Sequence, residues 1–579
     1  MRYLFFLLTL LLPLSSGAKQ RLFHNGKSDY VIYLHPSAST SEQTAAVELQ
    51  EYLKEMSGVE LALLRQESLP KGEKCLVVGY NEELGNKVGV GRPAEGDERF
   101  TYCTVGKHLW VYGGAKRGTM YGVYALLERE LGVRWFTPDH TFIPKRSSWQ
   151  FGALHHTEAP LLDYRFALYY HILQHPEFMA HNRLNSCWDV HENAYGGTEG
   201  FWGSHSFHYF FPWSTYYTTH PEYFSLHKGE RHRYSQLCLS NPDVLRICTE
   251  GMIKVIRENP NHWVYSLSQN DNNRPCECEK CRAIEEQYGG HSGLLIWFTN
   301  QVAAKVKELF PDKKISTFAY RYSRQAPKGI VPADNVVVRL CSIECCFGHP
   351  LESDCKFNTS FMHDIEEWSK ITDNLFIWDY VVNFQHYLIP FPNFSVLAKN
   401  IQTYARHNVI GIQEQAQYQT EGGEWSELRG WVLSKLLWDP YQDGGALVRE
   451  FIAGHYGAAA PHIQRYWELS QALIKPESEL TIYIEETSPI YTEEFITEGR
   501  KILDEAQKAV AGDAVLTARV DRVRLQILYL YTMHHKKEAR AEGVEEELFR
   551  LMREGGIRYN EWTTPAQFEE RYYREYPIE

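Results

Sequence analysis

The sequence lacks several features that would assign the chain to common functional classes. After its first residues it contains no apolar run of about 18 residues, the length that a membrane-spanning helix needs. It also lacks an excess of positive charge, since the formal net charge is -13, whereas nucleic-acid binding requires a basic face. No internal repeat or low-complexity tract is present. We therefore expect a globular protein of 579 residues with two or three domains, with no nucleic-acid partner and no transmembrane segment.

The N-terminus has the pattern of an export signal. An apolar stretch from Leu4 to Leu12 is too short to span a bilayer, and small residues follow it up to Ala18. We interpret residues 1–18 as a signal peptide. No cysteine lies at the cleavage point, so lipid attachment is not indicated there. The mature protein is predicted to be soluble and exported, either to the periplasm or to the medium.

The 12 cysteines are unevenly distributed and lack the paired C-x2-C spacing of strong zinc signatures. Cys276, Cys278 and Cys281 form one group, and a second group lies between Cys341 and Cys355. Three thiolates from the first group and one from the second could hold a structural zinc ion. Disulfides, which exported proteins favour, and free buried thiols are the alternatives.

The order of apolar segments predicts an α/β protein with three parts after the signal peptide. Residues 19–155 alternate short strands and helices and are predicted to form a small α/β domain. Residues 156–445 repeat a strand-then-helix pattern that predicts a (β/α)8 TIM-like barrel. Its expected strands are Tyr164–Tyr169, Arg183–Trp188, Trp263–Ser268, Ile315–Tyr320, Val336–Ile343, Leu375–Trp378 and Val409–Gln413, with a possible eighth near Leu428–Trp438. Residues 446–579 are predicted to form a helical C-terminal domain.

Four carboxylates follow predicted barrel strands at their C-terminal ends. They are Asp271, Glu344, Asp379 and Glu414. In a parallel barrel these ends build the site, and glycoside hydrolysis needs one carboxyl group as an acid and another as a nucleophile, a base or an orienting group. Each residue also has a structural interpretation, because an acid after a strand is often a helix cap or an ion-pair partner.

Aromatic and amide side chains near these acids are candidates for sugar contact. Aromatic residues make up 14% of the chain, and flat rings can stack on sugar rings as well as fill a core. A long predicted loop between Val190 and Pro221 is rich in them, and its histidines could also ligate a metal or simply pack. The predicted substrate-binding residues are Asn270, Gln269, Trp378, Tyr380, His205, His208, Trp213, Trp188, Gln413 and Asn383.

Several motifs resemble glycoside hydrolase family 163, long catalogued as a domain of unknown function behind an α-glucuronidase-like N-terminal domain. The resemblance spans roughly residues 25 to 460. It depends on the segments Gly118–Tyr124, Gly132–Phe136, Ser268–Asp271 with the first cysteine group, Leu340–Phe347, Ile377–Tyr380 and Trp438–Pro440.

The resemblance implies a retaining endo-β-N-acetylglucosaminidase that acts on complex N-glycans. In such a reaction the substrate's own 2-acetamido oxygen attacks the anomeric carbon, so the enzyme supplies a general acid and a group that orients the amide. Within this scheme we assign Glu414 as acid/base, Asp379 or Glu344 as the orienting residue and Asp271 as an alternative acid. No cofactor is required for this chemistry. An α-glucuronidase-like exo-hydrolase and a non-catalytic glycan-binding protein are the alternative interpretations.

Overall fold

The computed structural model describes residues 19–577, so the predicted signal peptide of residues 1–18 lies outside the described residues. The described chain divides into two compact units. The first contains residues 19–135, 141–160 and 193–196, and the second contains residues 136–140, 161–192 and 197–577.

The first unit is an α/β structure built on a six-stranded sheet with the order β10-β5-β6-β4-β2-β3. Helix α1 begins at a capping box, in which Ser39 and Glu42 each bond the other's backbone, and it ends at Gly58 in the left-handed conformation. The strands are β1 Gln20–His24, β2 Tyr30–Leu34, β3 Leu63–Arg65, β4 Lys74–Val78, β5 Phe100–Val105, β6 His108–Gly113, β9 Ser148–Phe151 and β10 His155–Glu158; the helices are α1 Thr40–Ser57, α2 Glu82–Val88 and α3 Gly118–Arg129. Strands β7 Arg134–Thr137 and β8 His140–Phe142 form a separate two-stranded sheet.

The second unit begins with a nearly closed barrel of eight parallel strands, which confirms the predicted fold class. The strands are β11 Tyr164–Leu168, β12 Ser186–Cys187, β13 Glu199–Trp202, β16 Val264–Ser266, β17 Lys314–Ala319, β18 Val336–Cys341, β19 Leu375–Tyr380 and β20 Val409–Gln415. The hydrogen-bonded order runs from β12 through β13 and on to β20, which pairs with β11. Strand β18 is buried along its whole length, as expected for a strand covered on both faces.

The position of the eighth strand differs from the sequence-based prediction. The segment Leu428–Trp438 belongs to a helix, Ser426–Trp438, and the missing strand is Glu199–Trp202, inside the region predicted to be a long loop. The helix is buried on almost every side, so its apolar residues are not confined to one face and do not reveal a helical period. Strand β13 is only four residues long and contains a glycine, which leaves too little sequence for an alternating pattern.

Helices surround the barrel and continue into a helical C-terminal region. Around the barrel they are α4 Tyr170–Leu173, α5 Pro176–His181, α6 Phe207–Phe210, α7 Trp213–Tyr216, α8 Pro242–Glu258, α9 Glu279–Tyr288, α10 His291–Leu309, α11 Lys356–Ser369, α12 Phe394–Arg406 and α13 Ser426–Trp438, with a small hairpin of β14 Leu226–His227 and β15 Glu230–Arg231. The C-terminal helices are α14 Gly444–His455, α15 Ala460–Gln471, α16 Glu493–Ala509, α17 Ala514–His534, α18 Lys536–Ala541, α19 Val544–Glu554 and α20 Pro565–Glu575. Between residues 19 and 577, no helix combines the length and apolar character needed to cross a membrane.

The barrel interior is filled by alternate side chains of the strands. Tyr164, Phe201, Val264, Phe376 and Ile410 belong to one buried cluster contributed by five different strands. Because successive strand residues point to opposite faces, their chain neighbours face the surrounding helices. This alternation determines which polar residues reach the barrel opening.

We predict that Gly411→Ala destabilises the barrel. A Cβ atom at Gly411 would lie 2.7 Å from Cβ of Tyr164 and 2.9 Å from the Phe376 ring. Overpacking of this kind costs about 1–3 kcal/mol, so the thermal midpoint should fall measurably. Gly444→Ala is the control, because its Cβ would meet nothing closer than 3.7 Å. Equal midpoints for the two variants would contradict the packing described here.

Candidate active site

A cavity of about 460 Å³ lies at the C-terminal ends of the barrel strands. Strands β17, β18, β19 and β20 with the loops that follow them, and the loops after β12, β13 and β16, contribute to its wall, and the C-terminal region contributes the rest. The lining residues are Trp188, Ser204, His205, Asp271, Phe318, Tyr320, Arg321, Cys341, Ile343, Trp378, Tyr380, Phe384, Gln385, Gln415, Tyr418, Tyr483, Asn560, Glu561 and Trp562. The carboxylates among them are Asp271 and Glu561.

Asp271 is the one predicted catalytic acid whose side chain lines this cavity. The Tyr320 hydroxyl donates to its Oδ1 at 3.0 Å, and the Arg321 guanidinium lies 4.0 Å from the same oxygen. The backbone around Asp271 is fixed by Gln236, whose side-chain NH2 donates to the carbonyls of Asn270 and Asn272. The carboxylate is therefore held at the cavity wall while half of its side chain, 56%, stays exposed for a ligand.

Glu561 reaches the cavity from the loop between α19 and α20. Its Oε1 accepts a hydrogen bond of 2.6 Å from the Tyr418 hydroxyl, which follows strand β20. The pKa of Tyr483 is raised chiefly by burial, and the negative charges of Asp271 and Glu561 both raise it further. Tyr483, Asp271 and Glu561 all line this cavity, so the two carboxylates border one shared space.

Aromatic rings form much of the cavity wall. Trp378 donates from its indole nitrogen to the side chain of Gln415 at 2.5 Å and packs edge-on against Phe318. Trp188 packs edge-on against Tyr418 with ring centroids 5.0 Å apart. Sugar-binding sites commonly place aromatic rings beside polar groups, because the apolar faces of sugars stack on the rings.

A buried cation lies behind this wall. Arg339 is 1% exposed, and its guanidinium carbon lies 3.8 Å from the ring centroid of Phe201 and 4.7 Å from that of Trp378. It donates to the side-chain oxygen of Gln413 at 2.8 Å. Burial lowers the pKa of Arg339. Gln413, predicted to contact substrate, thus lies on the inner face of the barrel as the partner of this arginine.

Asp379 and Glu414 lie side by side on neighbouring strands, but their side chains face the helical layer. They are paired in register between β19 and β20, while Trp378 and Gln415 occupy the cavity side. Asp379 accepts hydrogen bonds from the hydroxyls of Ser342 and of Tyr404, which belongs to helix α12 outside the barrel. The two residues predicted as acid/base and orienting group are therefore brought together, but away from the cavity.

Burial is the largest influence on the pKa values of this pair of carboxyl groups. Burial raises the pKa of Asp379, and hydrogen bonds from Ser342 and Tyr404 act in the opposite direction. The pKa of Glu414 is raised well above its usual range by burial and then by the charge of Asp379. Glu414 Oε2 has no hydrogen-bond partner within residues 19–577. The pKa values of both carboxyl groups are therefore raised, and hydrogen bonds oppose the effect of burial at Asp379.

Glu344, the fourth predicted acid, is held by an ion pair. Its carboxylate lies 2.7 Å from the Arg324 guanidinium, which also binds Asp364 at 2.6 Å. Arg324, Glu344 and Asp364 do not line the cavity. The structural interpretation considered above, in which an acid after a strand binds an arginine, describes this residue.

The residues predicted to bind substrate divide into two sets. Trp188, His205, Trp378 and Tyr380 line the cavity, and burial lowers the pKa of the His205 imidazole. The others are engaged elsewhere. The Asn270 side chain bonds the backbone of Ser235 and His208, Gln269 donates to Ser323, Asn383 donates to the carbonyl of Ile484, and the exposed Trp213 packs against Tyr234.

Sequence reasoning missed the contribution of the C-terminal region. Tyr483, Asn560, Glu561 and Trp562 line the cavity although they lie far beyond the last barrel strand. No strand end precedes them, and their loops carry no catalytic motif. Their one visible signal is the exposure of Trp562, which is 79% accessible and which a core would normally bury.

A second cavity, of about 820 Å³, lies within the C-terminal region. Its wall includes Leu473, Ile484 and Phe495, with glutamates such as Glu477 and Glu494. It is larger than the cavity at the barrel opening, but all of its lining residues lie between Leu469 and Phe495, so no strand end, where barrel proteins place their chemistry, contributes to it. We therefore take the cavity containing Asp271 as the candidate active site.

Two groups of side chains have the geometry of metal ligands. Cys238, Cys276, Cys278 and Cys281 have sulfur atoms that all lie within 4.8 Å of one another, and a smaller group consists of Cys346, His349 and Cys355. The fourth sulfur beside Cys276, Cys278 and Cys281 belongs to Cys238 and not, as expected, to a residue of the second cysteine group. Cys238 lies 38 residues before Cys276, a separation that matches no recognised metal-binding motif. The sequence alone therefore did not identify it as a ligand.

Comparisons with known proteins address the family and the fold. A family model described as "Domain of unknown function (DUF4838)" matches residues 135–468, and no curated protein matches the chain in sequence. A family GH115 4-O-methyl-α-glucuronidase with specificity for decorated arabinogalactans is similar in structure, with a TM-score of 0.57 and 13% identity over 93% of this chain and 78% of that one. Another similar structure is a GH138 enzyme targeting pectin rhamnogalacturonan II, with a TM-score of 0.43 and 11% identity over 94% of this chain and 98% of that one. A Flavobacterium johnsoniae chitobiase has a TM-score of 0.45 and 10% identity over 96% of this chain and 97% of that one. The likeness to the first shows a shared fold.

We predict that Glu414→Gln raises stability at neutral pH and leaves activity within about threefold of wild type. A carboxyl group whose pKa is raised by folding stabilises the protein fully below its unfolded pKa of about 4.3, and this contribution is lost as the pH rises toward the folded pKa. Glutamine removes the cost of ionisation. The melting temperatures of variant and wild type should therefore agree near pH 4 and diverge in favour of the variant by pH 8. A loss of activity of more than a hundredfold with an intact melting curve would instead restore Glu414 as the acid/base.

Proposed function

The chain belongs to the family described as Domain of unknown function (DUF4838), because that family's model matches more than half of its residues, and we propose that it is a glycoside hydrolase. The observation that carries this proposal is the convergence of Asp271 and Glu561 on an aromatic-walled cavity at the C-terminal ends of the barrel strands. Two carboxyl groups around one sugar-sized space are what most glycosidases use. Export by the N-terminal signal remains part of the proposal.

Within that class we propose a retaining endo-β-N-acetylglucosaminidase acting on complex N-glycans. The first step is a protonation of the glycosidic oxygen by Glu561 while the substrate's acetamido oxygen attacks the anomeric carbon and the glycosidic bond breaks. Water then attacks the same carbon, and the Glu561 carboxylate takes its proton. The bond to the acetamido oxygen breaks, and the anomeric configuration is retained after two inversions.

Asp271 is assigned to the orientation of the acetamido group. Its Oδ1 is already bonded to the Tyr320 hydroxyl, so its remaining acceptor capacity can take the acetamido N–H. Asp271 is anchored next to the barrel strands, whereas Glu561 comes from the C-terminal loop. This arrangement suits a sugar held against the barrel with its leaving group toward the loop. The role replaces Asp379 or Glu344, which do not line the cavity.

One observation supports a second candidate, an α-glucuronidase-like exo-hydrolase. Arg321 lines the cavity and has a positive φ of 49°, a conformation that non-glycine residues adopt infrequently. A guanidinium group there could bind the carboxylate of a uronic acid. Its 4.0 Å separation from Asp271 favours the first candidate, since that carboxylate would repel a uronate.

Mass spectrometry of the products separates these candidates. A galactosylated complex N-glycan and a uronide-capped xylan fragment are incubated with the purified chain in parallel. We expect the N-glycan to be cut between its two core N-acetylglucosamine residues and the xylan fragment to stay intact. Release of uronic acid with no cleavage of the glycan would support the second candidate, and tight binding without any product would indicate a binding protein.

We predict that substituting either cavity carboxylate lowers kcat, and that the size of the decrease depends on the leaving group for Glu561 but not for Asp271. Asp271→Asn should lower kcat by about 10²–10⁴-fold on every linkage, because the attacking group is no longer oriented. Glu561→Gln should lose as much on a natural linkage but little on a substrate with an aryl leaving group, which departs without protonation. Kinetics on both substrates measure this.

Glu344→Gln is the matched control for these variants, because Glu344 is a strand-end acid paired with Arg324 outside the cavity. It should keep activity within about threefold of wild type. The assignment would be overturned if Asp271→Asn retained full activity, and the two roles would be exchanged if the aryl substrate rescued Asp271→Asn instead of Glu561→Gln.

A further inference from the structure

Four cysteines from two separate segments surround one small volume beside the loop that carries Asp271. Cys238 precedes helix α8, and Cys276, Cys278 and Cys281 lie at the start of helix α9. The Cys238 sulfur lies 3.7 Å from that of Cys278 and 3.9 Å from that of Cys281. We propose that these four residues bind a structural zinc ion that fixes the Asp271 loop.

The sulfur separations fit a tetrahedral zinc site. With a Zn–S bond of about 2.3 Å, a regular tetrahedron has S···S edges of about 3.8 Å. A disulfide would instead need two sulfurs at about 2.05 Å, and all twelve cysteines are free in the structure. A ligand set of four thiolates, three of them at C-x-C-x2-C spacing, is one that zinc favours.

The surroundings of the sulfurs also fit a closed structural site. Cys238, Cys276 and Cys281 are 5%, 3% and 0% exposed and Cys278 is partly exposed, so most of the ligand set is shielded from solvent. The backbone N–H of Leu226 points at the Cys276 sulfur at 3.4 Å, which is a contact that stabilises metal-bound thiolates. Zinc binding needs no oxidant, because each thiol that coordinates releases its proton to solvent.

The same segments hold the proposed catalytic loop. Gln236, two residues before Cys238, accepts from the Asn270 N–H and donates to the carbonyls of Asn270 and Asn272 on either side of Asp271. Cys276 follows Asp271 by five residues. A metal ion that links Cys238 to Cys276 therefore closes a small ring made of residues 236–238, the metal and residues 270–276, whose other closure is the pair of hydrogen bonds between Gln236 and Asn270. This role for Asp271 depends on the proposed function, but metal binding does not.

Metal content is the direct test. The full-length mature chain is purified without added metal, and zinc and iron are measured by mass spectrometry together with thiol counting after denaturation. We expect one zinc per chain assigned to this site and four reduced thiols from Cys238, Cys276, Cys278 and Cys281. Peptide mapping without reductant that finds Cys238 in a disulfide, or iron in place of zinc, would overturn the proposal.

Two variants assign the metal to the site. Cys238→Ser should lose one equivalent of zinc and melt at least about 5 °C lower. Cys248→Ala is the matched control, because Cys248 is fully buried in α8 but lies outside the four-cysteine group, and it should keep its zinc. His349→Ala identifies any further equivalent held by the Cys346, His349 and Cys355 group. Unchanged zinc in Cys238→Ser would exclude this site.

If Cys238→Ser fails to fold, chelation of the wild-type chain gives the same information. The buried ion should resist a chelator at room temperature but be released on heating, so the melting temperature should fall when chelator is present. No change in melting temperature would contradict a structural ion. Both readouts are independent of activity, so they remain valid even if the glycosidase proposal fails.

Discussion

The placement of side chains at the barrel opening depends on their alternation along the parallel strands. Each residue on a strand faces either the barrel interior or the helical layer, and its neighbours face the other way. On β19 and β20 this constraint directs Trp378, Tyr380 and Gln415 to the cavity and directs Asp379 and Glu414 to the helices. A shift of one residue would exchange the two sets. The chemistry at the opening therefore depends on strand register as much as on composition.

The same constraint explains why a buried acid pair persists on the outer face. Asp379 receives two hydroxyl donors and one backbone N–H, and these favour its charge. Among residues 19–577 no such donor reaches Glu414 Oε2, and burial and the charge of Asp379 raise the pKa of Glu414. A perturbed carboxyl group is often taken as a sign of catalysis, but Asp379 and Glu414 face the helical layer and do not line the cavity. Position relative to the cavity is the better guide.

The sequence was sufficient to predict the barrel fold and some of the residues that line the cavity at its opening. Long apolar strands such as Val336–Cys341 are recognisable by composition, and Asp271, Trp378 and Tyr380 follow from reading strand ends. Strand β13 was not predicted, because its four residues are too few to show the alternating pattern of a strand. Glu561 and Cys238 were not predicted, because each is distant in sequence from the residues that it lies beside in the structure. The face of Glu414 could not be assigned, since a one-residue error in where β20 begins reverses it.

The most direct test of the account is a crystal structure of the Asp271→Asn variant with a complex N-glycan bound. The account predicts that an N-acetylglucosamine ring lies against Trp378, with its acetamido group beside residue 271 and its glycosidic oxygen within hydrogen-bonding distance of Glu561. A sugar bound instead against Glu414 and Asp379, or in the cavity near Phe495, would contradict it.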